Sequence, residues 1–321
     1  MMLGVGRYVV ALAALLCCLG VHARDYPARP VRIVVPFPPG GAVDNVARLL
    51  GERLGVEWKQ PVVIENRPGA NGSIGTRAAA SASADGYTLL LSTSSTQAVN
   101  PALEPTLPYD PVNDFSHIFL IGSTPNILYV HPSLAVSDVQ GLIRAARDNP
   151  DKFAIGYGTS SAMVAGDLFQ TMAGIRLTNV AYKGNPQVLT DLIAGRVHAI
   201  FAVPSSVPAG FKDKLVPVAV TSLSRLRSEP DLPTVHESGL RGYEAVGWFG
   251  ISAPVGVEDS VRRKINEDLN RVLGSQEVRE RLMSLEVSPI GGTEQQFTGY
   301  VKSELSKWRE VVGRAAGQGG R

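Results

Sequence analysis

The sequence predicts an α/β protein of two lobes, each a mostly parallel sheet flanked by helices. Three observations carry this expectation. Short apolar runs alternate with segments of helical periodicity, and they do so in two successive sets. A Pro-rich stretch, Pro101 to Pro111, separates the sets. A mainly helical segment from Trp248 onward follows the second set, and it is expected to pack back on the first lobe.

In the first set, Val31 to Val35 reads as a buried strand, and Val43, Val46, Ala47, Leu50 and Leu54 follow at helical spacing. Val62 to Ile64 is a second strand, and Ile74, Ala78 and Ala82 mark a small-residue helix. Tyr87 to Leu91 is a third strand, ending in the hydroxyl cluster Ser92 to Thr96. In the second set, Ile118 to Val130 is extended, with Gly122 and Pro125 as interruptions, and Val139 to Ala146 is helical. Phe153 to Gly156 is a strand, the polar turn Gly158 to Ser161 follows, and a helix runs from Ala162 to Met172. Val180 to Tyr182 is a strand, and Lys183-Gly184-Asn185 is a turn before a helix from Pro186 to Ala194. Pro at that helix's start and Gly195 at its end match the usual asymmetry of helix termini. Val197 to Val203 and Leu215 to Thr221 close the set. Beyond Trp248, Val261, Ile265, Leu269, Val272 and Leu273 share one helix face. Thr293 with Gln296 forms a capping-box pattern for a last helix through Val312.

The first 23 residues read as an export signal. Arg7 is the positive flank, Val9 to Leu19 is apolar, and Val21-His22-Ala23 is a small-residue cleavage site. Cys17 and Cys18, the only cysteines, lie in this segment, so the mature chain has no thiol chemistry. Lipidation of one of them is the alternative, and Leu16 before Cys17 speaks against it. Removing Arg7 from 31 basic residues leaves 30 against 29 acidic ones. A balance of +1 gives no electrostatic footprint for nucleic acid.

Two Gly-rich corners stand out, because each follows a strand and precedes a helix. One is Pro36-Phe37-Pro38-Pro39-Gly40-Gly41, and the other is Asn66-Arg67-Pro68-Gly69-Ala70-Asn71-Gly72. Such corners expose free N–H groups at the positive end of a helix dipole, and glycine lets an anion approach them. The pair predicts a pocket for a small carboxylate. Each residue also has a plainer reading. Gly40 and Gly41 can shape a tight turn, Asp44 can complement the helix dipole, Ser73 can cap a helix, and Arg67 can sit in a surface ion pair. Hydroxyls of Ser92 to Thr96 and Thr159 to Ser161 divide between capping and ligand contact. Lys183 is an exposed lysine by default and a charge at the cleft rim otherwise.

Enzyme signatures are missing from the pattern. Gly158-Thr159-Ser160-Ser161-Ala162 lacks the last glycine of a nucleophile elbow, and no Walker sequence follows either Gly-rich corner. The histidines have no metal-ligand spacing. No catalytic residue, metal or cofactor is expected. An exported hydrolase using Ser160 or Ser94 is the competing class, without an aligned base to support it.

The motifs, in this order, resemble the Bug family, the extracytoplasmic solute receptors of tripartite tricarboxylate transporters. The opening Tyr26-Pro27-Ala28-Arg29-Pro30-Val31 through Gly41 carries the resemblance. So do Glu65 through Gly75, Asp85-Gly86-Tyr87-Thr88-Leu89-Leu90, and Leu107-Pro108-Tyr109-Asp110-Pro111. Tyr182-Lys183-Gly184, Asp231-Leu232-Pro233-Thr234-Val235, Gly239-Leu240 and Trp248-Phe249-Gly250 continue it over essentially the whole mature chain.

The resemblance implies a periplasmic Venus-flytrap protein with a signal peptide of 1–23. Lobe 1 would hold 24–123 and 248–321, and lobe 2 would hold 124–247. Hinges would fall near Ser123-Thr124 and Ala245 to Trp248. One ligand carboxylate would be held mainly by backbone amides and ordered waters at Phe37, Pro38, Gly40 and Gly41 and at Ala70, Asn71 and Gly72, beside Ser92 and Ser94. Thr159, Ser160, Tyr182 and Lys183 would close over it from lobe 2. Met163 and Ala202 stand where many members carry His and Asp, which points to a less charged, aromatic or apolar acid. The implied partners are this small carboxylate and the membrane subunits of a transporter, with the receptor itself a monomer. A periplasmic sensor subunit is the alternative role.

Overall fold

The computed structural model describes residues 26–104 and 106–318, with side chains through 313 in the last helix. The predicted signal segment, with Cys17 and Cys18, lies outside the described residues. The chain forms two sheets with helices on their faces, which is the two-lobe α/β class expected. The first sheet has strand order β11-β4-β10-β3-β1-β2. It comprises β1 Val31–Val35, β2 Val62–Asn66, β3 Thr88–Thr93, β4 Phe115–Pro125, β10 Val246–Pro254 and β11 Ser288–Pro289. The second has order β7-β6-β8-β5-β9, from β5 Ile127–Val130, β6 Ala154–Tyr157, β7 Thr178–Ala181, β8 Ala199–Ala202 and β9 Val216–Val220.

Each sheet has a parallel part built by strand–helix–strand units. β1 lies parallel between β2 and β3, with Val31 opposite Val62 and Ile33 opposite Leu89. β6 lies parallel between β7 and β8. The helices that make these crossovers are α1 Ala42–Trp58, α2 Ser73–Ala80, α5 Ser160–Ala173 and α6 Asn185–Ile193. The remaining helices are α3 Asn100–Leu103, α4 Val139–Asp148, α7 Ala209–Lys212, α8 Asp259–Gly274, α9 Gln276–Ser284 and α10 Glu294–Gln318. Burial follows the sequence pattern: Val46, Ala47, Leu50 and Leu54 of α1 are inaccessible and pack on β1 and β3. The capping box forms as expected. Thr293 N–H donates to Gln296 Oε1 at 2.8 Å, and Gln296 N–H donates to Thr293 Oγ1 at 3.2 Å.

Two stretches differ from expectation. Ile118 to Val130, read as part of the second set, is split between β4 of the first sheet and β5 of the second. The region from Trp248, expected as mainly helical, begins inside a nine-residue strand, Val246–Pro254. It runs antiparallel between β3 and β4 in the middle of the first sheet. It is buried on both faces, so it reads as a continuous apolar run rather than an alternation. Two register shifts against β4 blur its period further.

The chain passes between the sheets twice, from β4 into β5 and from β9 back into β10. The passages are tied together. Asn126 N–H donates to Thr221 Oγ1 at 2.8 Å, Thr221 N–H donates to Asn126 O at 2.9 Å, and Ala245 N–H donates to Thr221 O at 3.0 Å. A cavity opens beside this knot, between the carboxyl ends of strands from both sheets.

Candidate functional site

The first wall of the cavity is the corner between β1 and α1. Gly41 is the N-cap and offers no side-chain acceptor, so the first-turn N–H groups at Ala42 and Val43 have no cap and border the cavity. Asp44 fixes the corner's shape. Its Oδ2 accepts Gly40 N–H at 2.9 Å and Arg48 Nε–H at 2.9 Å, and its Oδ1 accepts Asn66 Nδ2–H at 3.0 Å. Asn66 Nδ2 also donates to Phe37 O at 3.1 Å. Burial pushes the Asp44 carboxyl up, but these hydrogen bonds and the Arg48 charge outweigh it and hold it below the usual carboxylate range. Gly40 therefore spends its N–H on Asp44 and does not line the cavity.

The second Gly-rich corner plays a different part from the one expected. Gly69, Ala70, Asn71 and Gly72 all have positive φ, at 128°, 46°, 50° and 90°, and form a left-handed turn closed by Gly72 N–H to Gly69 O. Asn100 Nδ2 donates to Asn71 O at 3.0 Å, and Thr76 Oγ1 donates to Gly72 O at 2.9 Å. The turn packs against Thr96 and Phe37 and does not reach the cavity wall. Ser73 is not a cap either: Gly72 is the N-cap, and Ser73 lies inside the helix.

The hydroxyl cluster after β3 splits. Ser92 is inaccessible and heads a chain on the other side of the strand. Its hydroxyl donates to Ser252 Oγ at 2.6 Å, Ser252 bonds His117 Nδ1 at 2.9 Å, and His117 Nε2 bonds Pro111 O at 2.8 Å. The carbonyl requires a proton on Nε2, so Nδ1 is the acceptor. Burial pushes the His117 imidazole down to about 4. Ser94 and Ser95 instead turn toward the second sheet. Their hydroxyls lie 2.9 and 2.8 Å from Ser161 Oγ, and Ser161 N–H donates to Ser95 Oγ at 3.2 Å. Ser95–Val99 forms one π-helical turn.

The opposite wall is made by the starts of α5 and α6. Thr159 borders the cavity and caps α5, with Ala162 N–H donating to its Oγ1 at 3.1 Å. α6 starts at Gly184-Asn185-Pro186 without a side-chain cap. Asn185 Oδ1 is buried and unpartnered, as is Ser160 Oγ. A Cβ on Gly158 would lie 2.2 Å from Asn185 N, so only glycine there lets the two helix starts meet. A Cβ on Gly184 would lie 2.8 Å from Pro38 Cγ and Cδ, so the walls touch across the mouth. Asn45 Nδ2 to Ser205 O, 3.3 Å, is a further bond between them.

The space between the walls is a partly open cavity of about 60 Å³. Phe249, Phe37 and Val203 supply apolar surface, with Trp248 buried at the border, and Thr124, Asn126 and Asn185 supply neutral polar groups. No acidic, basic or histidine side chain is on its wall. The starts of α1, α5 and α6 all meet there. The positive ends of three helix dipoles therefore face this space without a cationic side chain; α1 and α6 have no side-chain cap there, whereas Thr159 and Ser95 already take N–H groups of α5.

Of the residues picked from sequence, Phe37, Pro38, Gly41, Ser94 and Thr159 come together on this wall. Ser160 is buried behind it. Ala70, Asn71, Gly72 and Ser92 do not reach it, as described. Met163, in the first turn of α5, is half-buried against the core, and Ala202 is buried in β8 opposite Ile127. The Tyr182 hydroxyl donates to Asp191 Oδ2 at 2.8 Å, and Lys183 is exposed. Arg67 pairs with Glu65 at the surface. Ala42, Val43, Thr124, Asn126, Asn185 and Trp248 were missed. Asn185 sits one residue past the predicted turn glycine, the signal that could have found it. Among the described residues no helix is long and apolar enough to cross a membrane, and no group of three or more metal-ligating side chains occurs.

Comparison with known proteins agrees with this architecture. Residues 46–316 match the model of the tripartite tricarboxylate transporter family receptor. Protein BugT of Bordetella pertussis is 36% identical over 296 residues, covering 91% of each chain. Among solved structures, R. palustris Rpa4515 with adipate superposes with a TM-score of 0.88 at 37% identity, covering 91% of this chain and 99% of that one. MatC from Rhodopseudomonas palustris with bound malate superposes with a TM-score of 0.84 at 28% identity, covering 89% of this chain and 100% of that one. The chain therefore belongs to the tripartite tricarboxylate transporter receptor family.

Proposed function

We propose that this protein is a periplasmic receptor that closes its two lobes over a small carboxylate and hands it to the membrane subunits of a tripartite transporter. Three helix starts meeting at a neutral cavity are the observation that carries the reading. Uncapped N–H groups at Ala42 and Val43 bind a carboxylate from one side, and the Asn185 region binds from the other. Two or three such charge-assisted bonds, at about 1.5–3 kcal/mol each, support a dissociation constant on the order of micromolar after ordering costs. Ligand affinity for the closed form drives closure about the knot at Asn126, Thr221 and Ala245.

The solutes seen in relatives, adipate in Rpa4515 and malate in MatC, set the starting panel. Met163 and Ala202 are the residues that point to a less charged, aromatic or apolar acid. Neither side chain lines the cavity, so mono- and dicarboxylates stand equally. Calorimetry of the mature protein with adipate, malate, citrate and benzoate tests the reading. One-to-one binding of at least one acid is expected, and silence across such a panel sinks it. Export is tested separately by the N-terminal sequence of the protein recovered from the periplasm, expected to begin near Arg24.

A further inference from the structure

Trp248 borders the cavity, yet its side chain is fully buried, so its indole N–H needs an acceptor inside the protein. That acceptor is Glu304 of α10: Trp248 Nε1–H donates to Oε2 at 3.2 Å. The same oxygen accepts Trp308 Nε1–H, also at 3.2 Å, and Oε1 lies 3.4 Å from Lys307 Nζ. Phe297 and Tyr300, from the same helix, meet the Trp248 ring edge-on at centroid distances of 5.6 and 5.7 Å. A carboxylate only accepts, so one oxygen holds two indole donors without needing a reorientation. The ring plane is thus fixed from behind by a single helix, which also packs on β4 and on α5 of the second sheet.

We infer that Glu304 is a positioning residue for the cavity: it holds the plane of the Trp248 ring and so sets which solute shapes the hinge end of the cavity admits. The selectivity arm of this inference rests on the cavity being the solute site, and the indole arm does not. If Glu304 merely neutralised two buried donors, removing it would weaken all solutes equally. A ring that swings changes their order instead, because a displaced aromatic face obstructs one shape and frees another.

The test follows the three indole N–H resonances in ¹⁵N-labelled protein, assigned with Trp→Phe variants. Glu304→Leu is expected to speed hydrogen exchange at Trp248 about tenfold or more, and Glu304→Gln, which keeps the accepting oxygen, is expected to restore protection. Trp248→Phe is expected to move the Trp308 resonance through the shared oxygen, whereas Trp58→Phe leaves it in place. With adipate, malate, citrate and benzoate as probes, Glu304→Leu is expected to change relative affinities by about tenfold, with Glu304→Gln close to wild type. Unchanged exchange at Trp248 in Glu304→Leu overturns the inference, as does a uniform loss of affinity. Should Glu304→Leu fail to fold, a Trp308 resonance unmoved in Trp248→Phe overturns it. If wild type binds none of the acids, the proposed solute site falls, and the exchange measurements alone decide the link between Glu304 and Trp248.

Discussion

Gly184→Ala separates closing from folding. The φ of Gly184 is 178°, extended backbone that alanine adopts freely, so the substitution strains nothing locally. Its new methyl would lie 2.8 Å from Pro38 Cγ and Cδ, and those atoms belong to the other lobe. Ordinary carbon contact begins near 3.4 Å, so the walls must part by about 0.6 Å at the mouth. Overpacking of this kind costs about 1–3 kcal/mol. Because the clash exists only where the lobes meet, the whole cost falls on the closed form, and the dissociation constant rises about 5- to 150-fold. Calorimetry gives the affinity, and thermal unfolding without ligand gives the control. The expected pair of results is weaker binding and an unchanged melting temperature. Affinity equal to wild type, or a ligand-free protein that melts several degrees lower, would refute the reasoning.

Three further outcomes are expected. Asp44→Ala leaves the Gly40 N–H, Asn66 and Arg48 without their shared acceptor and lowers stability by about 1–3 kcal/mol in urea unfolding, with ligand affinity falling as the corner loosens. The depressed carboxyl of Asp44 contributes stability above its unfolded range, and that share disappears as pH falls through its folded value. His117 is pushed down to about 4 from an ordinary 6.5, so the unfolded chain binds the extra proton between these values. Stability therefore drops as pH falls from 6.5, by about 2 kcal/mol at pH 5, and His117→Gln flattens that slope in pH-dependent denaturation. Ser161→Ala removes the hydroxyl shared by Ser94 and Ser95, and small-angle scattering should show a larger open fraction with about tenfold weaker binding.

The strand–helix alternation was legible because most elements obey one period each. Val31–Val35 is the clearest case, with the predicted and observed bounds identical. Where two-sided burial removed the alternation, as in Val246–Pro254, the sequence carried no strand signal. The site was legible as corners rather than as residues. Uncapped N–H groups belong to the first helical turn, so Ala42 and Val43 face the cavity while Gly40 is taken by Asp44. Ser92 and Ser94 look alike in sequence, but Ser92 sits within β3 opposite Gly250, and Ser94 lies just past the strand's end. Only the neighbours brought by folding separate them: Ser252 and His117 for one, Ser161 for the other.

The uncharged wall of the cavity has an effect on how the protein meets its surroundings. The space outside the inner membrane takes on the acidity of the medium, and a gripping group that gained or lost a proton there would make uptake swing with it. Peptide dipoles have no such proton to exchange. Retention should then follow the ionisation of the solute over the range in which Asp44, behind the wall, keeps its charge and holds the α1 corner in shape.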